Sequence, residues 1–153
     1  MPVEVQREVE LDGIPSDAEI EAVVAAALDD ADDAAICIRV VDEAEGRVLN
    51  HRWRGKDYAT NVLAFPGALP PGLPEGSGPR ILGDVVLCAP VVARESAEQH
   101  KSTEHHWTHL IVHGILHLRG FDNRKADAAA EMERLERSVL ETLGIPDPYA
   151  DSN

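Results

Sequence analysis

The sequence predicts an α/β (α+β) fold in a single domain covering residues 1–153, with about four strands in a mixed sheet and about five helices, the histidine-bearing helix running through the centre. Three observations carry this expectation. Strand and helix patterns alternate through the N-terminal half, the chain beyond Pro90 is helical in periodicity throughout, and 153 residues suffice for one hydrophobic core.

Residues 3–9 alternate apolar and polar side chains, the pattern of a half-buried strand. Behind Pro15, Ser16 and Glu19 have the spacing of a capping box, in which each side chain satisfies the other residue's backbone N–H. They open an Ala-rich helix to about Leu28. Residues 35–41 are rich in β-branched side chains and read as a second strand, 45–53 as a short helix, 61–65 as a third strand and 81–88 as a fourth. Between the last two strands, residues 66–80 hold five Pro and four Gly in fifteen positions, which makes a loop. That loop is either a cover for substrate or a tolerated surface insertion.

Pro90 suits the start of a helix reaching about His100. A further helix spans about 102–118, with Trp107, Ile111, Gly114 and Leu118 as its buried stripe. The last helix, about 125–143, is expected to bury Met132, Leu135, Val139 and Leu143, and Gly144 followed by Pro146 ends it. Cys37 and Cys88 stand far apart in apolar stretches without C-x-x-C spacing, so both are expected as buried reduced thiols.

The chemistry concentrates in His113-Gly-Ile-Leu-His117-Leu-Arg-Gly120-Phe-Asp-Asn123. Residues four apart on a helix project from one face with Cβ atoms roughly 5–6 Å apart, near enough for two imidazoles to hold one ion. Gly120 then suits a turn beyond the helix, which brings position 123 back as a third ligand. This is the framework of a three-ligand zinc site with an open fourth position. The residue at 123 is Asn, whose neutral amide oxygen is a weak zinc ligand. Asp122 offers a charged alternative or else caps the next helix. His109 shares the helical face but lies about 12 Å along the axis from His117, so His109, His113 and His117 do not all bind one ion. Gly114 occupies the place where an H-E-x-x-H peptidase carries its general-base Glu, which argues against peptide hydrolysis by that route.

The stretch His106-Trp-Thr-His-Leu-Ile-Val-His113 through Gly120-Phe-Asp122 resembles the bacterial YbeY family of metal-dependent endoribonucleases. Three further blocks agree in order: Leu49-Asn50 through Arg54, Asp57, Thr60-Asn61 and Phe65-Pro66; Leu82-Gly83-Asp84; and Glu131-Met132-Glu133 through Leu143-Gly144 and Asp147-Pro148-Tyr149. The resemblance covers about two thirds of the chain. It implies a single-strand-specific endoribonuclease acting in ribosomal RNA processing, at the 3′ end of small-subunit rRNA, and in ribosome quality control. Its partners would be ribosomal RNA, the small ribosomal subunit and that subunit's assembly proteins.

The resemblance also implies one zinc ion on His113, His117 and position 123, where the family's Gly-Tyr-Asp-His pattern ends in His and this chain has Asn123. It places a functionally important arginine at Arg54, whose guanidinium suits two phosphate oxygens at once; pairing with Asp57 or another acid is the structural alternative. Arg52, Lys56 and His109 are the expected substrate-binding residues. Asn61 and Asp84 read as turn or strand-end residues that bond nearby backbone.

The composition resists a nucleic-acid reading. Asp and Glu number 28 against 14 Lys and Arg, for a net charge of −14, whereas phosphate neutralisation usually demands a basic face. The acidic surplus is clustered at Asp29, Asp30, Asp32 and Asp33 and at Glu131, Glu133, Glu136 and Glu141, which read as solvated faces; Arg52, Arg54 and Lys56 form a compact basic group. Weak binding of free RNA, with positioning supplied by the ribosome, reconciles the two. The N-terminus carries no basic and apolar signal region, and no apolar run reaches about 18 residues, so a cytoplasmic protein without membrane association is expected. Asn123 also keeps open a catalytically impaired ribosome-assembly factor of the same fold, and a general metal-dependent hydrolase is a further alternative.

Overall fold

The computed structural model describes residues 3–9, 13–28, 34–66, 80–119 and 126–145. In chain order these form β1 (Val3–Arg7), α1 (Asp17–Leu28), β2 (Ala34–Val41), α2 (Glu43–Arg54), β3 (Val62–Pro66), β4 (Arg80–Cys88), α3 (Ala89–Glu98), α4 (Thr103–Leu118) and α5 (Ala126–Thr142). The five helices and four strands match the expected fold class. The acidic run at 29–33, the interior of the Pro- and Gly-rich loop, and Gly120, Asp122 and Asn123 lie outside the described residues.

Local chemistry explains the helix boundaries. Ser16 N donates to Glu19 Oε1 at 3.1 Å and Glu19 N donates to Ser16 Oγ at 3.2 Å, so the capping box forms in full. Helix α2 begins two residues before its predicted start because Asp42 is the N-cap, its carboxylate accepting from Glu45 N at 2.8 Å. It ends at Gly55, whose φ of 71° lets its N–H return to the carbonyls of the last turn. Ser102 caps α4 by accepting from His105 N at 3.4 Å.

The strand order is β1-β2-β4-β3. β1, β2 and β4 run parallel, and β3 is antiparallel to β4 with Leu63 opposite Val86. Because side chains alternate across a strand, one face of β2 and β4 presents Ile38, Val40, Val85 and Leu87 to the main core with α1, α4 and α5. The other face presents Val41, Val86 and Cys88, which pack with Leu63, Val91 and Leu49 in a smaller cluster. Cys88 is buried as expected, but Cys37 is only half-buried, since it points to the less covered face; both thiols are free. Burial, together with the nearby Asp84 and Glu4, pushes the Cys37 thiol up to about 11 and keeps it protonated.

Helix α4 is the central element, packed against α1, α3, α5, β3 and β4. The predicted single stripe is too narrow for that position. Leu110, Val112, Ile115 and Leu116 are buried along with Trp107, Ile111 and Gly114, whereas Leu118 is only partly so. In α5 the buried line runs Met132, Glu136, Leu140 at four-residue spacing, with Leu135, Val139 and Leu143 on its flank. Glu136, read from the sequence as part of a solvated face, is 1% exposed.

Gly114 is required by packing. A Cβ there would stand 2.7 Å from Val85 Cγ1 and 3.2 Å from Val85 Cγ2, so the missing side chain is what seats α4 on β4. Gly114→Ala is expected to lower unfolding free energy by about 1–3 kcal/mol, the usual cost of overpacking, as measured by urea denaturation; an unchanged midpoint would show that the helix shifts without cost.

Candidate metal centre and active-site cleft

The four histidines of α4 do not share one environment. His106, only 5% exposed, turns towards α3, its Nε2 lying 2.9 Å from Glu95 Oε1. The same Glu95 oxygen accepts from Asn61 Nδ2 at 2.9 Å. Asn61 thus ties the start of β3 to α3 and α4 through a carboxylate, a longer-range role than bonding to nearby backbone, although its own carbonyl does accept from Cys88 N at 3.0 Å.

His109 and His113 face α5. Glu136 lies between them, with Oε2 2.5 Å from His109 Nε2 and Oε1 3.1 Å from His113 Nδ1. Burial alone would push this carboxyl up, but the hydrogen bonds from the two imidazoles outweigh it and hold the group at about 2. An ionised carboxylate only accepts, so both imidazoles donate to it. With His113 Nδ1–H committed to Glu136, the Nε2 lone pair is the ring's remaining donor atom. This is how a carboxylate ordinarily orients a metal-binding histidine.

His113 opens on its other side into a cleft of about 490 Å³. His113, Gly114 and His117 of α4 form one side, residues 62–65 of β3 lie along it, and Trp53 and Arg54 at the end of α2 complete it. Three segments distant in sequence therefore meet there. Of the residues expected at the site, His113, His117 and Arg54 are brought together. His109 is turned to Glu136 and does not line the cleft.

Arg52 and Lys56 are exposed at the same end of α2. Arg52 borders a neighbouring depression and lies over the Trp53 ring, 5.8 Å from its centroid. The alternative partner for Arg54 is already taken, since Asp57 receives two hydrogen bonds from Arg47 at 2.8 and 3.0 Å. Among the described residues Arg54 has no acidic partner. Asn123 lies outside them.

The donor set suits a metal ion. His113 and His117 border one cleft a helical turn apart, and His113 has the buried carboxylate support described above. His109, His113 and Glu136 also place one ligand atom each within 4.8 Å of one another, a second group compact enough for an ion. Glu136 was not foreseen. The available signal was its spacing of four from both Met132 and Leu140, which puts it on the buried line. Trp53 and Phe65 at the cleft were also missed.

A family model described as Endoribonuclease YbeY matches residues 4–144. The chain belongs to the YbeY endoribonuclease family. It is 57% identical over 139 residues to the Endoribonuclease YbeY of Xanthomonas axonopodis pv. citri, covering 90% of this chain and 86% of the relative. To that of Pseudomonas putida it is 58% identical over 119 residues, covering 78% and 74%. The solution structure of TM1509 from Thermotoga maritima shares the fold, with a TM-score of 0.54 and 22% identity across 97% of this chain and 99% of that one. Within the YbeY family frame, the histidine pair, the cleft and Arg54 fall on the chain's matched span.

Removing the buried carboxylate should cost far more than removing an exposed one on the same helix. Glu136→Ala is expected to destabilise by about 3–5 kcal/mol, the scale for breaking a buried pair, whereas Glu141→Ala should stay within about 0.5 kcal/mol. Chemical denaturation of both variants checks this, and equal small losses would return Glu136 to the solvated face.

Proposed function

We propose that the chain is a metal-dependent endoribonuclease of single-stranded RNA, acting in the cytoplasm on ribosomal RNA, at the 3′ end of the small-subunit rRNA, and in ribosome quality control. Ribosomal RNA, the small subunit and its assembly proteins are the partners in this reading. The observation that carries it is the convergence of His113, His117 and Arg54 on one cleft. Among the described residues no helix is long and apolar enough to cross a membrane.

Each residue has a distinct task. Glu136 fixes the His113 ring with Nδ1 protonated. His113 and His117 would hold zinc, with Asn123 as a weak third ligand. When bound, such an ion supplies Lewis acidity to a phosphate and its nucleophile. Arg54 offers paired N–H donors to the non-bridging phosphate oxygens and stabilises charge that grows there during cleavage. Its freedom from Asp57 leaves the guanidinium available for that role. Arg52 and Lys56 attract the flanking backbone. His109 acts on substrate only through the shared carboxylate, because its Nε2 is directed to Glu136.

Arg54→Ala should lower cleavage of a single-stranded RNA by roughly 10²-fold or more, the loss expected for one transition-state donor, with the melting temperature nearly unchanged. Full cleavage by the variant would remove Arg54 from the site.

Asn123 favours a second reading, an assembly factor of the same fold with weak catalysis. Asn123→His should raise zinc affinity, because a third imidazole completes the ligand set. Zinc titration of both proteins decides: equal affinities would show that position 123 does not reach the ion.

A further inference from the structure

Trp53 is out of place as a packing residue. The residue is 63% exposed, more than the other exposed large apolar residues among those described, Val48 and Tyr58, at 57% each. Burying an indole is among the larger apolar gains available to a chain, and this one is left mostly in solvent on the border of the active-site cleft. The ring is nevertheless held. Phe65 meets it with centroids 5.7 Å apart and planes tilted by 59°, so the contact braces the ring without lying flat on it. Arg52 lies over the ring, and the next residue in the chain is Arg54, in the same cleft.

A braced, solvent-facing aromatic beside two guanidinium groups matches the chemistry of an unpaired nucleotide: a flat π-face for the base and cations for the phosphates on either side of it. We infer that Trp53 is the stacking platform for a nucleobase next to the scissile phosphate, and that this stacking is a source of single-strand preference. A base inside a duplex has both faces covered by its neighbours and cannot lie on the indole. Because every base has a π-face, the contact selects for unpaired nucleotides without selecting a sequence. It also adds affinity that does not depend on net charge, which matters in a chain of charge −14.

This inference rests on the reading of the chain as a ribonuclease of single strands, and the experiment separates the two. The chain has two tryptophans, and Trp107 is 1% exposed, so solvent-accessible indole emission reports Trp53. A short 2′-O-methyl oligoadenylate, which resists cleavage by 2′-hydroxyl attack, is titrated against the wild-type protein, alongside an abasic oligomer of the same length. The oligoadenylate should quench the accessible emission, and the abasic strand should bind about tenfold or more weakly, as expected when one base–aromatic stack is lost.

In cleavage of an unmodified single strand, Trp53→Ala should raise KM about tenfold or more, with a smaller effect on kcat. Trp53→Phe should recover most of the loss. Tyr58→Ala, at an exposed aromatic outside the cleft, should leave KM within about twofold. RNA binding that leaves Trp53 emission unchanged, or a Trp53→Ala variant with wild-type KM, overturns the stacking assignment while leaving the ribonuclease intact. A wild-type protein that neither binds nor cleaves RNA overturns the underlying reading and this inference with it.

Discussion

The carboxylate of Glu136 is the constraint on which the site depends. It is an ionised group with 1% exposure, and such a group is stable only when hydrogen bonds replace its hydration. The two bonds it receives from α4 do so, and they hold α5 in register against α4. Losing the pair of imidazoles would strip the buried charge of two hydrogen-bond partners. Without the charge the His113 ring loses the acceptor that fixes its tautomer. Stability and site geometry are thus joined at one side chain.

Close backbone approach builds the rest of the cleft. Gly114 lets α4 settle on β4, and Gly46 does the same for α2, where an added Cβ would meet Cys88 Sγ at 3.1 Å. The left-handed turn at Gly55 stops α2 immediately after Arg54, which leaves the guanidinium at a helix end and not along a packed face. The basic group therefore sits on the rim, while the histidines come from the interior. The Asn61–Glu95–His106 link sets where β3 begins relative to α4, and β3 lies along the cleft between them.

Much of this was legible in the sequence because it is local. The capping box at Ser16 and Glu19, the short helix leading up to Arg54, the strand alternation and the i, i+4 histidine pair all depend on neighbours within one turn or one strand. What stayed hidden is long-range. An acidic helix reads as solvated; the spacing from Met132 and Leu140 puts Glu136 on the buried line, but its role comes only from pairing with histidines 23 and 27 positions away. The same holds for Asp57, where Arg47 and not Arg54 is the partner. Strand order is equally non-local, since β2 pairs with β4 across an intervening helix and strand. The stripe predicted for α4 was too narrow because periodicity registers one partner surface, and this helix has several.

Gly114 has a consequence for which chemistries lie within evolutionary reach of this scaffold. A peptidase-like general base would need a carboxylate on the residue after the first histidine. Here that backbone position is pressed against Val85, with Val62 also close by. A single codon change to Glu would first have to displace the strand on which the helix rests. Making room for it by shrinking Val85 would weaken the core at the intermediate step. The contact that stabilises the fold also acts as a barrier in sequence space, and it keeps the histidine pair on a chemistry that does not call for a base at position 114.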